Sequence, residues 1–235
     1  MKIADQHVIV IGGSSGIGLG VARAARDSGA TVTIVGRSAE RLAAAAAALD
    51  GVHSVSADAT IEADVQRLFA ELPPAHHVVV TAVQGHYQPI RELDLGGARR
   101  LIESKLVAAL HVAKHARLTA GGSLVLTSGI ASDRPLLGGS VVAAVNGALE
   151  SLVLGLALEL APVRVNALSP GWIDTPVWDK IAGAAKAERF AAHARRLPVG
   201  RIGAPADIAH AAIFLMENGF TTGEVLHVDG GHLLV

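Results

Sequence analysis

Three glycines, Gly12, Gly16 and Gly18, punctuate the stretch GGSSGIGLG, which follows directly on the apolar run HVIVI. Missing side chains at such a turn let the backbone approach a pyrophosphate, and a helix starting there offers it free N-terminal amides. The spacing predicts a dinucleotide site, with Ser14, Ser15 and Ile17 completing the turn. At the end of the next apolar run, TVTIVG, a carboxylate would bind the ribose 2′-hydroxyl of NAD. Gly36 stands there instead, and Arg37 and Ser38 follow it. A guanidinium and a hydroxyl are therefore available for the 2′-phosphate of NADP, and nothing negative repels it. NADP(H) is expected in preference to NAD(H).

A second stretch raises the opposite question. LLGGSVVAAVNGALESLVLGLALEL, residues 136 to 160, reads as a long helix whose first turns carry Val142 and Asn146. Four residues make about one helical turn, so the two share a face. Neither can move a proton.

Both stretches need a frame to hold them. Short runs rich in Val and Ile at 7–13, 31–36, 52–57, 76–82, 122–128, 163–169 and 224–228 mostly lack strict alternation. That pattern suits strands buried on both faces of a parallel sheet. Between them lie helical stretches at 18–29, 39–50, 63–72 and 98–118 and the long helix already quoted. Repeated βα units with right-handed crossovers predict an α/β, doubly wound Rossmann-type fold with helices on both faces. No linker interrupts residues 1–235, so one domain is expected. Hydrophobic residues make up 51% and charged residues only 17%, which argues for an extensive core. A net charge of −1 gives no reason to expect nucleic acid or an anionic membrane as partner. With no Cys and no secretion signal, a cytoplasmic protein is expected. The longest apolar run is interrupted by Asn146, Glu150 and Glu159, and no membrane span is expected.

Taken together, these segments resemble a short-chain dehydrogenase/reductase over essentially the whole chain. GGSSGIG matches that family's TGxxxGxG apart from Ile11 in place of Thr, and Asp58 in SADAT matches the acidic residue at adenine. RVNALSPGWIDTP, 164–176, matches the segment that closes over nicotinamide; GRIGAPADIAHAAIFL and TTGEVLHVDGG match further on. The resemblance implies a seven-stranded sheet, a homodimer or homotetramer, and hydride exchange between a nicotinamide and a carbonyl/alcohol pair. It also implies cofactor contacts from Asp58 and Ala59, Thr81 and Ala82, and Pro170, Gly171, Ile173 and Thr175, beside the glycine turn.

The family pattern further places a Ser at the end of the fifth strand, a Tyr about a dozen residues on, and a Lys four after the Tyr. Ser128 fits the first role. Aligning NGALESL with the family's KAALESL puts Asn146 at the Lys and Val142 at the Tyr; a shift by one gives Val145 and Val141. The chain's only Tyr is Tyr87. An Asn normally found on the helix after the fourth strand becomes Lys105, and NNAG becomes VTAV, with Val83 in place of Gly. A positioned general acid contributes about 10² to 10⁴ in rate, so the family's usual reaction should be very slow.

Three functions remain open. One is an NADP(H)-dependent oxidoreductase with a rebuilt proton donor, Tyr87 or Lys105, with His86 beside Tyr87 in the cleft-rim loop. Another is a non-catalytic cofactor-binding or assembly protein. The third is a non-redox reaction on the same scaffold, using Ser128, Asp133, Asn146 and Lys105. The 11 His show no metal-site spacing, and no metal is expected. Residues 174–200 read as a variable substrate lid, with Trp172 and Trp178 either walling a substrate or packing the lid down. The apolar tail HLLV suggests burial in a subunit contact.

Overall fold

The computed structural model describes residues 3–82 and 85–235. Its order is β1 (His7–Ile11), α1 (Gly16–Asp27), β2 (Thr31–Gly36), α2 (Ala39–Leu49), β3 (His53–Ser56), α3 (Glu62–Glu71) and β4 (Ala75–Val80). There follow α4 (Leu95–Ile102), a π-helical turn (Glu103–Val107), α5 (Ala108–His115), β5 (Leu118–Thr127), α6 (Ser140–Glu159) and β6 (Arg164–Pro170). The chain finishes with α7 (Val177–Ala182), α8 (Lys186–Ala194), α9 (Pro205–Glu217) and β7 (Val225–Val228). Seven parallel strands form one sheet in the order β3-β2-β1-β4-β5-β6-β7. The order reverses between β1 and β4, which opens a crevice at their carboxyl ends.

The Val and Ile runs form strands because both faces are covered. Val8 and Val10 of β1 pack toward α1, α2 and α9, with Val21, Leu42 and Ile208 in the same cluster. Ile9 and Ile11, one residue out of phase, pack toward α3, α5 and α6, with Val65, Val112 and Leu149. Alternate residues of one strand thus seed two cores on opposite faces.

Two expectations change in detail. β5 begins at Leu118, four residues before the expected start, because Leu118 pairs with Ala75 ahead of a register shift. The long helix begins at Ser140, after a turn at Gly138 with φ +78°. Despite Asn146 and Glu150, α6 is by length and composition apolar enough to cross a membrane. In the fold its Val145, Leu149, Val153 and Leu156 face is buried, and Leu149, Val153 and Leu156 join the core over the sheet.

Candidate active site

The glycine turn is fixed by what it touches. Gly12 has φ +88°, and a Cβ there would lie 2.7 Å from the Ala82 amide nitrogen and 2.8 Å from Thr81 Oγ1. A Cβ on Gly18 would lie 2.2 Å from the Gly12 carbonyl oxygen. Thr81 Oγ1 donates to the Ile11 carbonyl at 3.0 Å, tying the turn to the end of β4. The backbone at the start of α1 is therefore bare and closely seated, as a pyrophosphate cradle requires.

Around the adenosine end, the sequence expectation is partly redrawn. Arg37 lies 3.9 Å from the Asp58 carboxylate. Ser38 caps α2, its hydroxyl accepting from the Arg41 amide at 3.2 Å. Accepting in the cap leaves its O–H free to donate to a phosphate. Arg41, which the sequence reading missed, reaches across to donate to Ser15 Oγ at 3.0 Å. Its signal was its place in the first turn of α2, just beyond the capping Ser. Asp58 accepts from the Thr60 amide at 2.9 Å and its hydroxyl at 2.8 Å. With Gly36 supplying no carboxylate and Arg37 and Arg41 flanking the turn, these residues fit a phosphorylated dinucleotide. Val83 lies outside the described residues.

Across the crevice, the π turn carries Lys105. Such a turn inserts an extra residue into the helical repeat and is frequent at functional sites. Lys105 is 9% exposed, and its Nζ donates to the Ser128 carbonyl at 2.6 Å and to Asn146 Oδ1. Asn146 Nδ2 donates to the Gly129 carbonyl at 2.8 Å. Ser128 Oγ donates to the Leu168 carbonyl at 3.2 Å. Among the described residues no carboxylate hydrogen-bonds to the lysine; burial lowers its pKa from 10.5 to about 7, opposed only partly by the charge of Glu150.

Other expected residues take lesser places. Val142 packs with Leu101, Ala131 and Val145, an apolar patch beside the lysine. Tyr87 sits partly exposed on the lining, with its pKa raised by burial. His86 lies over Gly97, and its buried Nε2 has no partner. Asp133 is exposed and meets His227 at 3.2 Å, off the lining.

One cavity of about 170 Å³ joins the two sides. Ile17 and Thr81 line it from the cofactor side, and Lys105, Ser128 and Asn146 from the other. Pro170 at the end of β6 and Gly171, Ile173 and Thr175 after it also border it. Trp172 and Trp178 line it and pack against each other at 4.3 Å between ring centroids. Thr127 Oγ1, overlooked in the sequence, is a buried hydroxyl on the same lining without a partner.

Fold and site together define a doubly wound α/β protein with a glycine turn at the end of β1 and a buried lysine across the cleft from it. Residues 11–232 match the family model described as Enoyl-(Acyl carrier protein) reductase. An L-fucose dehydrogenase of Oryctolagus cuniculus is 35% identical over 98% of this chain and 86% of its own length. The short-chain dehydrogenase/reductase malC of Malbranchea aurantiaca is 33% identical over 99% and 96%. The solved structure of the MalC reductase/Diels-Alderase superposes with a TM-score of 0.90, at 31% identity over 99% of this chain and 97% of that one. An NADPH-bound short-chain oxidoreductase from Pseudomonas aeruginosa PAO1, described as containing an atypical catalytic center, gives 0.90 at 27% identity over 98% of both. The chain belongs to the short-chain dehydrogenase/reductase family.

Proposed function

We propose that the protein is an NADP(H)-dependent oxidoreductase acting on a carbonyl/alcohol pair, with Lys105 as the group that moves the proton. The observation that carries this reading is the buried Lys105 ammonium, held by Ser128 O and Asn146 Oδ1 on the cavity that reaches the glycine turn. The cofactor assignment is supported by Arg37 and Arg41, by Gly36, and by the NADPH bound in the Pseudomonas aeruginosa relative. When bound, the cofactor supplies or accepts the hydride.

The chain's own residues supply the rest. A substrate carbonyl oxygen placed against Nζ would receive its third N–H, the other two being committed to Ser128 O and Asn146 Oδ1. The proton passes from nitrogen to oxygen as the alcohol forms, and the amine is reprotonated from solvent. In the reverse direction the neutral amine accepts the alcohol proton. A pKa of about 7 suits both directions near neutral pH. Reduction needs the ammonium and should fall above pH 7; oxidation needs the amine and should rise there.

Lys105→Met tests this directly. Turnover of NADPH with a carbonyl should drop by about 10² to 10⁴, while NADPH titration by fluorescence still shows binding. Tyr87→Phe should leave the pH profile in place. Loss of activity in Tyr87→Phe with Lys105→Met still active would assign the proton to Tyr87. Tight NADPH binding with no turnover of any carbonyl would support a cofactor-binding or assembly role instead.

A further inference from the structure

We infer that the carbonyl substrate is an oxo acid, whose carboxylate is taken by Arg134 while its keto oxygen meets Lys105. The inference rests on the placement of the reacting carbonyl at Lys105. Its grounds are the charges on the cavity lining, the partners that Arg134 lacks and the donors left unspent around it.

Charge comes first. Lys105 and Arg134 are the charged side chains on the lining, and both are cations; among the described residues no Asp or Glu lines the cavity. A cleft with low-dielectric walls and charge of one sign concentrates its field on a ligand of the opposite sign. Arg134 comes from the segment that follows Ser128, and its side chain bonds to the C-terminal turn. None of the expected cofactor contacts lies on either segment beyond Ser128, so this cation is not spoken for by the dinucleotide.

Nothing else neutralises the guanidinium. Among the described residues Arg134 forms one hydrogen bond, to the Leu233 carbonyl at 2.5 Å, and no ion pair. Most of a guanidinium's five N–H donors are thus unspent. The carboxylates around it are engaged elsewhere. Asp133 accepts from Ser132 Oγ at 3.1 Å and meets His227 at 3.2 Å. Asp229, which like Arg134 acts on His232, accepts from the Gly231 amide at 2.9 Å and the Leu233 amide at 2.8 Å.

The two cations suit different oxygens. Lys105 Nζ already donates to Ser128 O and Asn146 Oδ1, so one N–H remains, enough for a single carbonyl oxygen. A guanidinium presents paired N–H groups that match both oxygens of a carboxylate. The Tyr87 hydroxyl and the Trp178 indole N–H also line the cavity, with no hydrogen bond among the described residues. Burial raises the Tyr87 pKa, so this hydroxyl stays a donor. Reduction then converts the oxo acid to the hydroxy acid, with one NADPH and one proton consumed per carbonyl.

Trp172 and Trp178 are the only tryptophans in the chain and both line the cavity, so their fluorescence reports occupancy whether or not turnover follows. The experiment titrates the protein at pH 8, with NADP⁺ present, with pyruvate, levulinate and 6-oxoheptanoate and with the methyl ester of each. The three acids differ in the spacing between carbonyl and carboxylate. At least one acid should quench saturably at least about tenfold tighter than its ester, and the gap should narrow as salt is raised. Arg134→Gln should remove the gap and Arg134→Lys keep part of it. Each ratio is taken within one variant, so a lower yield of folded protein does not mimic the effect; should Arg134→Gln not fold, the salt dependence of the wild type decides. No acid tighter than its ester, or a gap that survives Arg134→Gln, overturns the inference. At pH 8 Lys105 is mostly the neutral amine, so a gap present at pH 6 and lost at pH 8 would put the carboxylate on Lys105 and overturn it too. Acid-selective quenching without NADPH oxidation leaves the ligand class standing and removes the catalytic reading. NADPH oxidation with equal KM for acid and ester does the reverse.

Discussion

The two sides of the crevice encode function differently. At the glycine turn the backbone itself is the device: Gly12 and Gly18 sit where a Cβ would meet other atoms at 2.7 and 2.2 Å. Across the cleft the device is a set of side chains, Lys105, Asn146 and Val142, on positions where many side chains could stand. A backbone device tolerates almost no change, so its sequence pattern persists legibly. A side-chain device can be rearranged, provided the right atoms still converge.

The sharpest contrast lies between two glycines in helices. Gly18→Ala forces a Cβ to within 2.2 Å of Gly12 O and 2.5 Å of Thr81 Oγ1. It should cost about 3 kcal/mol or more, since backbone cannot give way as a flexible side chain would. Gly147, on α6, has nothing within 4 Å of an added Cβ. Gly147→Ala should instead stabilise the fold by about 0.5–1 kcal/mol through helix propensity. Thermal melts with NADPH titrations check both; equal effects of the two substitutions would dissolve the contrast.

A smaller effect is expected at the adenosine end, where the two kinds of device meet. Arg41 is a side-chain element placed beside the backbone cradle through its bond to Ser15. Charge-assisted hydrogen bonds contribute about 1.5–3 kcal/mol. Arg41→Ala should therefore weaken NADPH binding by about tenfold or more and leave NADH nearly unchanged. Equal weakening of both cofactors would mean that Arg41 only props the glycine turn.

The same distinction explains what the sequence made legible. The sheet, its two-sided cores and the glycine turn were all readable, because Val and Ile runs and glycines follow directly from burial on both faces and from close backbone approach. Val142 and Asn146 share one face of α6 as expected, and Lys105, offered from the sequence as a rebuilt donor, is the group that reaches Asn146 on it. The structure brings Lys105 to that face from another helix: the family pattern expects a Lys on α6 and an Asn after β4, and here Asn146 and Lys105 stand in those places and hydrogen-bond to each other. The family pattern pointed to Lys105, but spacing along one helix could not fix its hydrogen bonds to Asn146 and Ser128, and nothing in LIESKLVAAL announces a π turn. Arg41 escaped for a related reason: its reach to Ser15 depends on how α2 lies against the glycine turn.

The helices after β6 offer a last way to sharpen the comparison, through a side-chain device with no role in the proton path. His193, on α8, is 6% exposed, lies against Trp172, and meets the His232 ring at 4.4 Å from the C-terminal turn. Neither His193 Nε2 nor His232 Nδ1 has a partner. Burial, helped by the charges of His232 and Arg196, lowers the His193 pKa from 6.5 to about 4. His232 is lowered too, by burial and by Arg196 and Arg134, with Asp229 pulling the other way. Between pH 6.5 and 4 the unfolded chain takes up a proton at His193 that the folded chain refuses, so stability falls as pH falls through that window. One such histidine accounts for about 1 kcal/mol of loss at pH 5.5. Urea unfolding followed by Trp fluorescence at pH 7 and pH 5.5 should show His193→Phe losing about that much less than the wild type. Identical losses would mean that α8 is held by its aromatic row alone, and that the buried imidazoles carry no proton-linked strain.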